Sequence, residues 1–308
     1  MPCLEPIPWR GEAVSRIILG TAQLGMDYGA ANRSGKPDAA QARAIIETAW
    51  NAGIRHFDTA QAYGDSEVML GCALRELGIA DGAQVTTKLA MPEDNLDAAT
   101  VRSAIEESRA RLNVPQLWCV MLHTPRLLDH WNHGLGDALR ELQAAGHIRH
   151  LGVSLSELND APRCLAHPDL AVLQLPCNAW DRRPIDSGLL ERAQAADRLC
   201  CVRSLYLQGL LTMPPEAAAT RLPAAKEASE RWHAFAREHG MQPPELAIRF
   251  GLALDTPLVI GAETPEQVEA TIAWAHGPAV TRELLDDLAA RLAPSLEDMI
   301  ISPWHWPE

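Results

Sequence analysis

Short apolar runs rich in Val, Ile and Leu recur along nearly the whole chain, and each is followed by a longer stretch of helical periodicity. Runs apolar on both faces belong to strands buried on both sides, and a helix between successive strands makes those strands parallel. The pattern predicts strands over 17–21, 56–59, 84–89, 117–122, 151–154, 172–176, 200–204 and 258–260. It predicts helices over 37–52, 66–77, 97–112, a segment ending at Gly146, 158–165, 187–196, 224–239, 244–254, 265–274 and 281–292. In the first helix Ala42, Ile45, Ile46, Ala49 and Trp50 share one face and Gly53 ends it; Ser66 reads as an N-cap and Gly78 as a stop. Eight such units close most simply into one ring, an α/β fold of the (β/α)8 TIM-barrel type, as a single domain over 1–308. A doubly wound sheet would use the same elements but would carry a Gly-rich turn after its first strand, and no GxGxxG occurs. Residues 214–223 read as a surface excursion of the seventh loop.

Charge narrows the partners. With 40 Asp and Glu against 27 Lys and Arg, the formal charge of −13 repels phosphate backbones and anionic lipid surfaces, so neither nucleic acid nor membrane is expected. No apolar run has the length of a membrane span, and the first twelve residues hold three prolines and no apolar core after a basic start, which predicts a cytoplasmic protein. The seven cysteines (Cys3, Cys72, Cys119, Cys164, Cys177, Cys200, Cys201) are odd in number and form no CxxC pair, so neither a disulfide framework nor a metal site is expected. The expected assembly is a monomer or small homo-oligomer.

In a barrel of this kind the chemistry sits where strands end. Strand two ends at Asp58 and runs on to Tyr63; strand three ends at Lys88, strand four at His123 and strand five at Ser154, and Asn178 follows strand six. Asp, Tyr, Lys and His at neighbouring strand ends suit the movement of one proton beside one hydride. A free phenol titrates near 10, and an ammonium within ~4 to 6 Å stabilises its phenolate. Lys88 can supply that charge, Asp58 can keep Lys88 cationic, and a neutral His123 can orient a carbonyl oxygen toward Tyr63. Each residue alone is more often a surface charge, a loop residue or a packing residue; their coincidence on consecutive strands carries the reading.

The chain resembles the aldo-keto reductases over 17–272. Gly20-Thr21-Ala22-Gln23-Leu24-Gly25 is similar to that family's opening strand, and Gly53 to Glu67, with Asp58, Tyr63, Gly64 and Ser66, to its signature around the catalytic Asp and Tyr. Thr86-Thr87-Lys88 and Leu122-His123 match the other two catalytic positions, and Gly152-Val153-Ser154 the strand whose serine binds the nicotinamide amide. The resemblance implies reversible hydride transfer between a nicotinamide cofactor, NADPH with NADH not excluded, and a small aldehyde, ketone or sugar carbonyl or the matching alcohol. Tyr63 would be the general acid. Gly20, Thr21, Ala22, Ser154, Gln174, Asn178, Arg203, Ser204, Leu205, Gln208, Gly209, Gly261, Ala262, Glu263, Thr264 and Gln267 fall where such proteins hold the cofactor.

Two departures concern the cofactor half. Where many members stack an aromatic residue on the nicotinamide, this chain has Arg203, which can stack or bind phosphate. Where many place basic residues for the 2′-phosphate of NADPH, it reads Gly261-Ala262-Glu263-Thr264-Pro265-Glu266-Gln267. Thr264, Gln267 and the helix N-terminus could still bind phosphate, and Glu263 could accept a ribose hydroxyl, as suits NADH; alternatively, both glutamates merely suit a helix start. Asp27, Tyr28 and Arg126 are the expected substrate contacts, and Trp304 and Trp306 form either a pocket lid or a tail packed on the barrel. The short tail after Leu292 predicts an open, shallow pocket. Two other functions fit the same residues: a cofactor-binding regulatory or redox-sensing barrel without turnover, and a barrel using Lys88 as a Schiff-base amine.

Overall fold

An antiparallel hairpin, β1 (Ile7–Trp9) and β2 (Glu12–Val14), precedes eight parallel strands that close into a barrel. These are β3 (Ile17–Gly20), β4 (His56–Asp58), β5 (Gln84–Leu89), β6 (Leu117–Leu122), β7 (Ile148–Ser154), β8 (Leu170–Pro176), β9 (Leu199–Arg203) and β10 (Leu258–Gly261). They pair in chain order and β10 returns to β3 over four residue pairs, Leu258 opposite Ile17 through Gly261 opposite Gly20. The helices are α1 (Ala22–Gly25), α2 (Ala39–Asn51), α3 (Ser66–Glu76), α4 (Ala98–Leu112), α5 (Leu135–Ala144), α6 (Ala161–Ala166), α7 (Arg183–Asp186), α8 (Leu189–Ala195), α9 (Pro215–Arg221), α10 (Lys226–Glu238), α11 (Pro243–Leu252), α12 (Pro265–Ala275), α13 (Arg282–Leu292) and α14 (Asp298–Ile301). This computed structural model describes residues 4–32, 35–92, 96–293 and 296–306; Cys3 and the side chain of Trp304 lie outside the described residues.

The expected (β/α)8 fold is therefore present, with differences that have local causes. Strand β7 starts at Ile148, earlier than 151, because exposed Arg149 interrupts an apolar run whose backbone still pairs. The helix predicted over 187–196 is α8, which starts only after Gly188 at φ +66°, and a separate short helix, α7, precedes it. The stretch 214–223 is no plain excursion: it contains α9, which buries Ala218, and Leu222 is buried after it. Among the described cysteines, Cys72 is half-buried, the other five are buried, and all six are free thiols.

Most of the apolar core lies between the strands and the surrounding helices. A separate, smaller cluster including Ile18, Trp118, Cys119, Met121, Val172, Cys201 and Val259 packs with Val14 of the hairpin. Met121 pairs opposite Lys88, Cys119 opposite Thr86 and Cys201 opposite Gln174, which brings this cluster up to the strand ends that hold Asp58 and Lys88. The hairpin closes the opposite end. Its turn holds Arg10 and Gly11 at φ +49° and +77°, the conformation that suits a two-residue hairpin. Glu12 accepts hydrogen bonds from Trp118 Nε1 at 2.9 Å and Arg149 Nε at 2.9 Å, and its Oε1 lies 2.7 Å from His150 Nε2. The other end is left open for chemistry.

Candidate active site

Asp58 closes β4 opposite Thr86 of β5, so the alternation of β5 puts Thr86 and Lys88 on the face that Asp58 shares. Asp58 is 4% exposed and Lys88 1%. Lys88 Nζ donates to Asp58 Oδ1 at 2.5 Å and to Thr59 O at 3.0 Å, while Gln174 Nε2 donates to Asp58 Oδ2 at 2.7 Å. One ammonium hydrogen remains, and the Tyr63 ring centroid is 5.0 Å from Nζ. Burial alone would push Lys88 down, but the Asp58 carboxylate and Tyr63 outweigh it and hold the ammonium above its ordinary value. A lysine held cationic is a poor Schiff-base nucleophile.

The Tyr63 loop is placed by a buried hydroxyl network and one close backbone approach. Thr21 Oγ1 donates to Asp58 O at 2.9 Å, Ser66 Oγ to Thr21 O at 2.7 Å, and Thr59 Oγ1 to Ser66 Oγ at 2.9 Å. Ser66 thus serves this network, and α3 starts without the side-chain cap expected of it. A Cβ on Gly25 would lie 1.8 Å from Tyr63 O, and one on Gly64, at φ +57°, 2.3 Å from Gly25 O. Two glycines therefore let the segment after β3 touch the Tyr63 loop.

His123 follows β6, its backbone N–H donating to Leu89 O at 3.1 Å. Its ring meets Tyr63 edge-on, centroids 5.8 Å apart at 88°. Burial, reinforced by the nearby Lys88 charge, pushes the imidazole down to about 4, so it is neutral at physiological pH.

A cavity of about 510 Å³ opens from Tyr63 and Asp58 to solvent, without a sealed tunnel above Tyr63. Of the expected residues, Gly20, Thr21, Ala22, Tyr28, Gln174, Arg203, Ser204, Leu205, Gln208, Gly209, Gly261, Glu263 and Gln267 line it as well. Lys88 is buried and His123 half-buried beside Tyr63; neither is part of this lining. Ser154 is buried opposite Gln174 in register, and Ala262 is buried next to Gly261. Thr264 caps α12 by accepting from Gln267 N at 3.3 Å. Asn178 is fully buried and turned inward: its amide donates to Ser204 O and accepts from the N–H groups of Trp180 and Asp181. The structure does not bring Asp27 or Arg126 to this cavity; both are exposed, Arg126 on the 3-10 turn Pro125–His133. Trp306 is buried in the tail and donates to Met299 O and Ile300 O at 3.1 Å, so it packs as structure and does not line the cavity.

Several lining residues escaped the sequence reading. Gln23 fills the space above Gly261, where a Cβ would lie 2.4 Å from its Nε2. Trp274 joins Gln267, Ala270 and Thr271 on one face of α12, a helical spacing that could have revealed it. Tyr206 lies in a loop strained at Ser204, Leu207 and Gln208, with φ of +61°, +49° and +54°. Ala30 N donates to Gln208 O at 2.8 Å, which ties this loop to the one after β3.

A sequence model of the Aldo/keto reductase family matches residues 16–286. Pyridoxal 4-dehydrogenase of Microbacterium luteolum is 26% identical over 86% of this chain and 90% of its own length. D-threo-aldose 1-dehydrogenase of a Pseudomonas species is 26% identical over 90% of this chain and 96% of its own. The solved glycerol dehydrogenase of Gluconobacter oxydans superposes with a TM-score of 0.73 at 26% identity, covering 96% of this chain and 97% of that one. The chain belongs to the aldo/keto reductase family, and is an NAD(P)(H)-dependent oxidoreductase acting between carbonyl and alcohol. Among the described residues no helix is long and apolar enough to cross a membrane.

Proposed function

We propose that this protein interconverts a small polar aldehyde, ketone or sugar carbonyl with its alcohol, using Tyr63 as the proton donor and acceptor. The observation that carries this is the buried Lys88–Asp58 pair with Tyr63 beside it on the wall of the cavity. In reduction the Tyr63 hydroxyl gives its proton to the carbonyl oxygen, and the Lys88 ammonium stabilises the phenolate left behind. Asp58 keeps that ammonium charged and Gln174 fixes the second carboxylate oxygen. Neutral His123, packed edge-on against Tyr63, orients the oxygen without competing for the proton. The pyridoxal and the aldose in the relatives' names support a small polar substrate.

The residues fit a nicotinamide dinucleotide. Gln174 Oε1 is buried with no partner among the described residues, and Gln174 lines the cavity, as suits an atom that accepts from a carboxamide. The bound cofactor supplies the hydride. Ser154 and Gln174 would hold its nicotinamide end, with Asn178 bracing the Ser204 backbone beside it; Ser204, Leu205, Gln208, Gly209, Gly20, Thr21 and Ala22 its middle; and Gly261, Ala262, Glu263, Thr264 and Gln267 its adenosine end. The family resemblance points to NADPH. The lining beyond β10 points instead to NADH, because among the described residues it presents Glu263 and Glu266 and no Lys or Arg. A carboxylate repels a 2′-phosphate and accepts from a ribose hydroxyl.

Titration with NADH and NADPH, followed by tryptophan quenching, tests this without a guessed substrate. Tighter NADH binding is expected, and tighter NADPH binding would overturn the role given to the glutamates. In Tyr63→Phe, turnover of small aldehydes and alcohols should fall by about 10² to 10⁴ with dinucleotide affinity kept. Unchanged turnover would remove Tyr63 from the chemistry.

A further inference from the structure

The site holds more positive charge than proton transfer uses. Arg203 ends β9 on the cavity wall, where Nη1 donates to Ser204 Oγ at 3.0 Å and Nη2 to Leu155 O at 2.9 Å. These anchors fix the guanidinium through neutral oxygens. Among the described residues no carboxylate forms an ion pair with it, whereas Lys88 is matched by Asp58. Arg203 pairs opposite Pro176 of β8, two residues past the Gln174 that holds Asp58, and lines the same cavity as Tyr63, so it stands at the Tyr63 end. Counting Lys88, Arg203 and Asp58 with a neutral His123, that end carries one net positive charge. The cavity's other carboxylates, Glu263 and Glu266, lie beyond β10.

This charge has a consequence that rests on the reaction proposed above. Hydride transfer requires the nicotinamide ring to lie beside the carbon whose oxygen meets Tyr63, and therefore at the Arg203 end. The oxidised ring is a cation and the reduced ring is neutral. We propose that Arg203 sets the redox balance of the site: its uncompensated cation disfavours oxidised cofactor relative to reduced, which biases the bound reaction toward alcohol oxidation. In that direction the carbinol C–H bond breaks and its electron pair passes as hydride to the nicotinamide. The hydroxyl proton passes to the Tyr63 phenolate, which the Lys88 ammonium stabilises, the C–O bond becomes a carbonyl, and the alcohol is oxidised as the cofactor is reduced. Arg203 touches none of the transferred atoms; it is a positioning residue acting through charge. The overall equilibrium in solution is unaffected, and only the relative affinities for the two cofactor forms change.

The test is the ratio of dissociation constants for oxidised and reduced cofactor, measured by fluorescence titration with whichever pair, NAD+/NADH or NADP+/NADPH, binds tighter. In the unmodified protein the reduced form should bind at least about tenfold tighter, the effect of one like charge nearby. Arg203→Gln should bring the ratio down by about tenfold, chiefly by tightening the oxidised form, and Arg203→Lys should retain it. Equal affinities in the unmodified protein overturn the proposal even if Arg203→Gln does not fold, and so does an unchanged ratio in a folded Arg203→Gln. If none of the four dinucleotides binds, the reaction assigned above fails first and this inference with it.

Discussion

Lys88 shows why the chemistry of this site and its stability are inseparable. Its ammonium is buried with two oxygen partners, and Asp58 is buried with it. Lys88→Met keeps the length of the side chain but strands a buried carboxylate, a change that costs about 3–5 kcal/mol. Urea unfolding should show that loss, and turnover should fall at least as far as in Tyr63→Phe; a variant as stable as the parent would mean that Asp58 is not held by this pair. The residue types were legible in the sequence, because Asp58, Lys88 and His123 each stand where an apolar run stops. Direction was not. Arg126 and Asp27 follow strands as closely as Tyr28 does, yet only Tyr28 faces the cavity, since loop position does not say where a side chain points. Asn178 was expected at the cofactor for its place after strand six, while its amide is spent on backbone partners that only the folded turn supplies.

At the scale of elements, the site depends on the contact between the segment after β3 and the loop carrying Tyr63. Gly25→Ala puts a methyl 1.8 Å from Tyr63 O, so the backbone must move. Stability should fall by about 2 kcal/mol or more, with a drop in kcat. Gly78→Ala is the matched control: at φ +68° and with nothing within 4 Å, it should cost about 1 kcal/mol of backbone strain and leave kcat intact. Equal effects on kcat would show that the close approach does not place Tyr63. Both glycines are visible in the sequence, but a helix stop and a close packing contact look alike there. The hairpin β1–β2 was missed for a related reason, since three-residue strands are too short for a periodic signal and their meaning lies in the barrel end that they close.

For the whole molecule, buried histidines set the acid limit. Burial holds His56 down to about 4 at the hairpin end, where it packs edge-on against Trp118, and holds His150 low there too. Below the ordinary histidine value of about 6.5 the unfolded chain takes up protons that the folded chain refuses, so stability falls with pH down to about 4. For His56 alone the loss between pH 7.5 and pH 5 is about 2 kcal/mol. Lys88, held above its ordinary value, acts oppositely: its contribution is whole below the ordinary lysine value of about 10.4 and is lost as pH rises from there through the raised value. Urea midpoints should therefore form a plateau above neutrality and decline toward pH 5, less steeply in His56→Gln; a midpoint unchanged from pH 7.5 to pH 5 would contradict the burial of neutral imidazoles. The alternation of apolar runs and amphipathic stretches already specified eight strands, their parallel order and the end of the barrel that holds the chemistry, because those follow from local periodicity and chain connectivity. Which loop residues turn inward, that Arg203 meets no carboxylate among the described residues, and that Gln23 and Trp274 complete the cavity were settled only when distant segments packed, because these are relations across the barrel and no single stretch of chain contains them.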